Sequence, residues 1–227
     1  MLYFVPGEVM NVMDEGLRGY YAARAREYEQ IYELPERQGD LAALRELLQR
    51  LLSGHDVLEV ACGTGYWTLP VSLTARSVLA TDVGEEVLEL ARLKTYPRGN
   101  VRFMQADAFT LEGVEGRFSA GFASFWWSHI AMSKLDAFLE AFHGKLGPGS
   151  LVVFTDNNYV DQSSRPIVRQ DSEGNTYQLR RLNSGAEYEV LKNFPSEDEL
   201  RDRLRGLSTD VEVVSLTYYW CLSYRVA

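Results

Sequence analysis

The chain has 227 residues, a formal net charge of −9 and a sequence pI near 4.9. That length fits one domain with a real hydrophobic core and room for an inserted cap. The acidic balance offers no footprint for a phosphate backbone or an anionic membrane surface, which argues against nucleic acid and membrane partners.

In chain order, Met1–Met13 lacks the basic start and sustained apolar core of a secretory signal. From residue 14 to residue 32, Tyr21, Ala25, Tyr28 and Tyr32 recur at helical spacing, which predicts a helix with an aromatic stripe. The stripe either packs on the body or serves as a lid whose tyrosines close over a ligand. Leu34-Pro35-Glu36 breaks this helix. Asp40 is placed to cap the next one, in which Leu41, Leu44, Leu47, Leu48, Leu51 and Leu52 form a core stripe.

Val57–Ala61 reads as a short apolar strand, followed by a glycine turn and a helix over Gly65–Leu73. Ser77–Thr81 is a second strand ending at Asp82, and Val87, Leu88 and Ala91 mark the helix after it. Val101–Gln105 is the third strand, leading into Ala106-Asp107-Ala108. Phe118–Ser124 is the fourth, and runs into Phe125-Trp126-Trp127-Ser128-His129-Ile130. Ser133 with Asp136 resembles a capping box for a helix carrying Leu135, Phe138, Leu139 and Phe142. Ser150–Thr155 is the fifth strand. Strands alternating with helices argue for right-handed βαβ units and a mainly parallel sheet.

The periodicity changes between Asn157 and Pro195. Tyr177–Leu182 and Ala186–Asn193 read as strands of a β-hairpin joined through Asn183-Ser184-Gly185. Ser196 with Glu199 is a second capping-box candidate. Val211–Thr217 and Tyr218–Tyr224 suit a closing antiparallel pair. The two cysteines, Cys62 and Cys221, show neither a disulfide framework nor metal spacing, so reduced, buried thiols in a cytoplasmic protein are expected.

The Val57–Thr68 stretch is the centre of the argument. Gly63 and Gly65 let a ligand approach the main chain without meeting a β-carbon. A dinucleotide fingerprint needs a third small residue where Thr68 stands, and no Lys-Ser/Thr pair makes a phosphate loop. Glu59 just before the turn disfavours an anion and favours an ammonium group. With Glu59, Asp82 and Asp107 stand at three successive strand ends, where carboxylates can accept hydrogen bonds from hydroxyl or amine groups.

With these landmarks the chain resembles a class I S-adenosylmethionine-dependent methyltransferase, over about Val57 to Asp156. The resemblance implies a Rossmann-like α/β fold: a seven-stranded, mainly parallel sheet with an antiparallel C-terminal strand. A hairpin cap over 157–195 completes a single domain spanning 1–227. It also implies that Ala61, Gly63 and Gly65 hold the amino-acid part of S-adenosyl-L-methionine, beside Glu59. Asp82 and Val83 would meet the ribose, Asp107 and Ala108 the adenine, and Ser124 with Tyr21 and Tyr28 would complete the cofactor site. Ala61 replaces the family's first glycine, a mild change if its φ is negative. Ser119 replaces an aspartate often found in the fourth strand.

His129 falls where many small-molecule methyltransferases carry a histidine facing the substrate. It is the candidate general base, the alternative being a loop-ordering hydrogen bond. His55 and His143 read as surface residues. Trp126, Trp127, Asn157 and Arg180 are candidate substrate contacts, with one tryptophan expected in the core. Strand alternation puts Arg180 and Arg181 on opposite faces, so at most one points inward, where it would hold a carboxylate or phosphonate. The cap is loosely similar to that of a phosphonate O-methyltransferase. The expected activity is O-methylation of a small molecule, with N-methylation or non-catalytic cofactor binding as alternatives, by a monomer or homodimer.

Overall fold

The structure is a computed structural model that describes residues 28–181, 185 and 187–227. Its strands are β1 (Asp56–Val60), β2 (Ser77–Asp82), β3 (Val101–Gln105), β4 (Ala120–Ser124) and β5 (Leu151–Asn157). Then come β6 (Ile167–Gln170), β7 (Thr176–Arg181), β8 (Glu187–Leu191), β9 (Ser208–Ser215) and β10 (Tyr219–Val226). The α-helices are α1 (Gln38–Leu51), α2 (Thr68–Ser72), α3 (Glu85–Arg92), α4 (Leu135–Leu146) and α5 (Glu197–Arg203).

Seven strands form one sheet in the order β3-β2-β1-β4-β5-β10-β9. The first five run parallel, and β10 is antiparallel to both β5 and β9. Successive side chains of a strand point to opposite faces, so both faces of this sheet carry core. Leu58, Val60, Val152 and Phe154 pack with Phe138, Leu139 and Phe142 of α4. Val57, Val78, Phe122 and Val153 pack on the other face with Leu41, Leu44 and Leu48 of α1. Gly121 allows the first of these contacts: a β-carbon there would stand 2.6 Å from both Leu146 and Phe142.

The expected hairpin is part of a three-stranded antiparallel sheet, β6-β7-β8. Its β7–β8 pairing sets Gln178 opposite Val190 and Arg180 opposite Tyr188. The extra strand is a four-residue edge whose side chains are mostly exposed, so it shows no apolar alternation to read. The turn residues 182–184 lie outside the described residues, as do Tyr21 and most of the expected 14–32 helix. Of that helix, Tyr28–Glu33 is described, and it is a 3₁₀ helix.

Three local expectations are corrected. The helix after the glycine turn starts at Thr68 rather than Gly65, because Gly63 and Gly65 take positive φ, which a right-handed helix cannot contain. Asp40 does not cap α1. A 3₁₀ turn over Pro35–Arg37 runs straight into the helix, and Asp40 Oδ2 instead accepts the Tyr218 N–H at 2.7 Å. Ser133 and Asp136 form no capping box: the Ser133 hydroxyl donates to Glu173 at 2.8 Å, and Asp136 pairs with Arg203. The Ser196–Glu199 capping box is present.

Candidate active site

Strand β1 lies between β2 and β4, so the chain leaves it in both directions across the sheet. Ligands of open α/β sheets bind at such a switch point, beyond the carboxyl ends of the strands. The loop there turns through Ala61 at φ 52°, Gly63 at φ 55° and Gly65 at φ 75°. A β-carbon on Gly63 would meet nothing within 4 Å among the described residues, whereas one on Gly65 would lie 2.5 Å from the Tyr96 hydroxyl and 3.1 Å from Ala91. Gly63 therefore leaves open space beside the main chain, and Gly65 lets α3 close on the loop.

Ala61 departs from the expectation of a negative φ. A side chain in the left-handed region costs roughly 1–2 kcal/mol through contact of Cβ with the following carbonyl. Ala61→Gly is therefore expected to raise the unfolding free energy by about 0.5–1 kcal/mol, part of the gain being lost to the freer unfolded chain. Denaturant unfolding of the two proteins checks this; equal midpoints would show that the loop carries no strain at Ala61.

The N-terminal segment clasps this loop from outside. Glu29 Oε1 accepts the Thr64 hydroxyl at 2.6 Å and also receives Lys94 Nζ. Tyr32 stacks on Tyr66 with ring centroids 3.9 Å apart, and Trp67 and Phe125 pack around the pair. Phe125 itself has φ 56°, and its N–H is held by Thr155 O at 2.7 Å. A bulky residue in the left-handed region is strained, and here it turns the chain out of β4 into the Trp126–Ile130 segment.

The three strand-end acids differ in character. Glu59 is 1 % exposed, and its Oε2 has no hydrogen-bond partner among the described residues. Burial pushes its carboxyl up to about 8; nearby Asp82 adds to this, and the Thr68 hydroxyl opposes it. Asp82 accepts the main-chain N–H groups of Gly63 and Gly84 at 2.8 and 2.9 Å, so it braces the loop against the start of α3. Its pKa is raised by burial in spite of these donors. Asp107 accepts the Phe109 N–H at 2.8 Å, and Ala108 is buried beside it. Val83 offers its carbonyl to Gln105. Cys62 has its thiol pushed well up by burial and by the charges of Glu59 and Asp82, which removes any thiolate chemistry. Both cysteines are free.

On the other side of the crevice, the Ser124 hydroxyl bonds that of Thr155 at 2.8 Å. Trp127 is core, packed against Phe154 and Trp220. Trp126 is partly buried against Phe109 and Phe138, its indole N–H without a partner among the described residues. His129 is 8 % exposed, and its Nδ1 lies 2.7 Å from Leu191 O of the cap. His55 and His143 are partly buried rather than surface residues, bonded to Ser119 and Tyr224, and burial lowers both pKa values.

A buried ion pair sits beside His129. Lys192 Nζ donates to Asp156 Oδ1 at 2.9 Å and to the Ser128 hydroxyl at 2.6 Å, and Asp156 also receives the Ser128 N–H. Asn157, at the end of β5, donates its N–H to the same carboxylate. Burial lowers the Lys192 pKa, Asp156 opposes this, and the positive charges of Arg180 and Arg37 lower it further. Arg180 lies on the same face of β7 as buried Gln178, which it bonds at 2.6 Å, while Arg181 is exposed. The alternation expected for the two arginines therefore holds. Arg37 is 6 % exposed, with its guanidinium over Tyr218 and Tyr219 and its Nε unpartnered among the described residues.

A family model for a methyltransferase domain matches residues 57–149. The demethylmenaquinone methyltransferase of Staphylococcus carnosus (strain TM300) is 28% identical over 184 residues, 72% of each chain. The structure of the DhpI–SAM–HEP complex superposes with a TM-score of 0.77 at 29% identity, covering 96% of this chain and 100% of that one. The DhpI–SAH complex superposes with a TM-score of 0.75 at 30% identity, covering 95% of this chain and 97% of that one. The chain belongs to the class I S-adenosylmethionine-dependent methyltransferases.

This methyltransferase uses S-adenosylmethionine to methylate a small molecule. No helix among its described residues is long and apolar enough to cross a membrane, and no cluster of His, Cys, Asp and Glu among them could hold a metal ion. Sequence reasoning did not single out Arg37, Lys192 with Asp156, or Glu29 as a set. Their partners lie 35 or more residues away, so no local pattern joins them; the excess of arginine and lysine in the cap of an acidic chain was the one available signal.

Proposed function

We propose that this enzyme methylates oxygen on a small acceptor that also carries an anionic group. The observation that carries the reading is that Arg37 and Arg180, from two other elements, both act electrostatically on buried Lys192, which is paired with Asp156. Basic side chains gathered at the cap favour an anion, and a planar guanidinium suits a carboxylate or phosphonate.

At the cofactor side the orphaned Glu59 Oε2 fits the ammonium group of S-adenosylmethionine. The open space beside Gly63 fits its amino-acid part. Asp82 and Val83 take the ribose edge, and Asp107 and Ala108 the adenine. Ser124, at the end of β4, completes the site from the other side of β1. The bound cofactor supplies an electrophilic methyl group. The protein aligns acceptor and methyl and excludes water, which can be worth about 7–11 kcal/mol. The cap over 157–195 and Trp126 and Asn157 enclose the acceptor, while Trp127 is given to the core. His129 takes the hydroxyl proton: Leu191 O can only accept, so Nδ1 carries the ring's hydrogen and Nε2 the lone pair.

Arg180→Met is expected to raise KM for an acidic acceptor at least 10-fold and to leave affinity for S-adenosylmethionine within a few-fold. A panel of hydroxy acids and amines, assayed with labelled methyl donor, supplies the acceptor. Transfer to amines alone would replace the O-directed reading with the N-directed one.

A further inference from the structure

The segment that follows β4 is sewn to the cap rather than to the main sheet alone. The Asn193 main-chain N–H donates to Ser128 O at 2.8 Å, and its side-chain Nδ2 donates to Ile130 O at 3.1 Å. Between these two bonds lies His129, whose Nδ1 reaches Leu191 O at 2.7 Å. Asn193 Nδ2 also bonds Asn175 Oδ1 at 3.2 Å, and that same oxygen accepts the Met132 N–H at 2.8 Å. Asn193 Oδ1 takes the Thr176 N–H at 2.8 Å, which ties the clamp back to β7.

Both amides are inside the protein: Asn193 is 6 % exposed and Asn175 is 1 % exposed. Asn175 is anchored in turn by Asp171, whose Oδ2 accepts its Nδ2 at 3.0 Å. Each buried donor and acceptor of the clamp is used, so it has one low-energy arrangement. That arrangement places the Leu191 carbonyl, on the strand just before Asn193, against the imidazole.

The geometry points to Asn193, backed by Asn175, as a positioning residue of the methyl-transfer reaction: it holds β8 on the Ser128–Ile130 segment so that Leu191 O fixes the tautomer and ring plane of His129. The assignment rests on His129 acting as the base. A histidine whose tautomer is dictated by a hydrogen bond presents its lone pair in one direction; released, it presents either nitrogen. Misplacement of a reacting group by about 1 Å can cost about 100-fold in rate.

The test combines ring-nitrogen NMR of His129 with steady-state kinetics, on the full chain. In the parent protein the ring proton is expected on Nδ1. In Asn193→Ala the ring signals are expected to shift toward a tautomer mixture. Its kcat should fall about 10- to 100-fold, with affinity for S-adenosylmethionine within a few-fold. Should that variant fail to fold, Asn175→Ala keeps the Asn193–Ile130 bond and is expected to move the same readouts less. A parent ring protonated on Nε2, or variants with unchanged ring signals, overturns the assignment. His129→Ala separates the two ideas. Full turnover in that variant sinks the base reading and the positioning role with it. A crippled His129→Ala beside a fully active Asn193→Ala overturns the positioning role alone.

Discussion

At pH 8 the Glu59→Gln variant is expected to resist denaturant better than the parent protein and to bind S-adenosylmethionine worse. The parent carboxyl is 1 % exposed, one of its oxygens is orphaned, and burial pushes its pKa from the ordinary 4.5 to about 8. The folded chain thus holds this proton more firmly than the unfolded chain. Its contribution to stability is fully present below pH 4.5 and is lost as pH rises toward 8, by an amount on the order of 5 kcal/mol. Glutamine carries no such ionisation, so the two proteins should unfold alike near pH 4.5 and diverge by several kcal/mol at pH 8. Urea midpoints at both pH values measure it; equal midpoints throughout would mean that Glu59 ionises without penalty.

On the proposed pairing of Glu59 with the cofactor's ammonium group, the same substitution removes the negative partner. A hydrogen bond to a charged group is worth about 1.5–3 kcal/mol, so calorimetry should show affinity lower by about 10- to 100-fold. Gain of stability with loss of binding is the pattern of a group kept for its ligand. Unchanged affinity would remove Glu59 from the cofactor site.

Lys192→Met is expected to be among the most destabilising single substitutions in the chain. Lys192 is 3 % exposed and Asp156 is fully buried, so loss of the ammonium leaves a buried carboxylate whose remaining hydrogen-bond donors among the described residues, on Ser128 and Asn157, are neutral. Breaking such a pair costs about 3–5 kcal/mol. For a chain of this length that corresponds to a fall in Tm of roughly 6–20 °C. Adding Asp156→Leu should recover much of the loss, because an apolar replacement of both partners leaves no charge unpaired. A thermal double-mutant cycle measures the coupling; additive effects would show that the two side chains act independently.

The parallel strands were legible because β1, β2, β4 and β5 are short, largely apolar runs buried on both faces, and helical segments follow β1, β2 and β4 in the chain. Val101–Gln105 agrees at both ends, and β1, β2, β4 and β5 agree within about two residues. The leucine stripe of α1 was legible for the same reason: Leu41, Leu44 and Leu48 return to one face every three or four residues. Capping was less readable. Ser196–Glu199 caps α5, but Asp40 and Ser133, equally suited by type, were recruited by Tyr218 and Glu173 from distant parts of the chain. A short polar side chain takes whichever donor or acceptor the tertiary fold brings, and local sequence does not record that choice.

The glycine turn, Glu59 and the order of the strand-end acids were enough by themselves to identify an α/β methyltransferase, since close approach of a backbone and recognition of an ammonium group are local demands. What the tertiary structure decided is how those residues are used. It turned Ala61 into a left-handed residue, left Glu59 with an oxygen that has no partner among the described residues, and turned Asp82 onto two glycine N–H groups. It also brought Arg37, Arg180, Lys192 and Asp156 to one place and pinned His129 to the cap. Those pairings cross tens to more than a hundred residues, and only packing sets the distances on which charge, burial and tautomer depend.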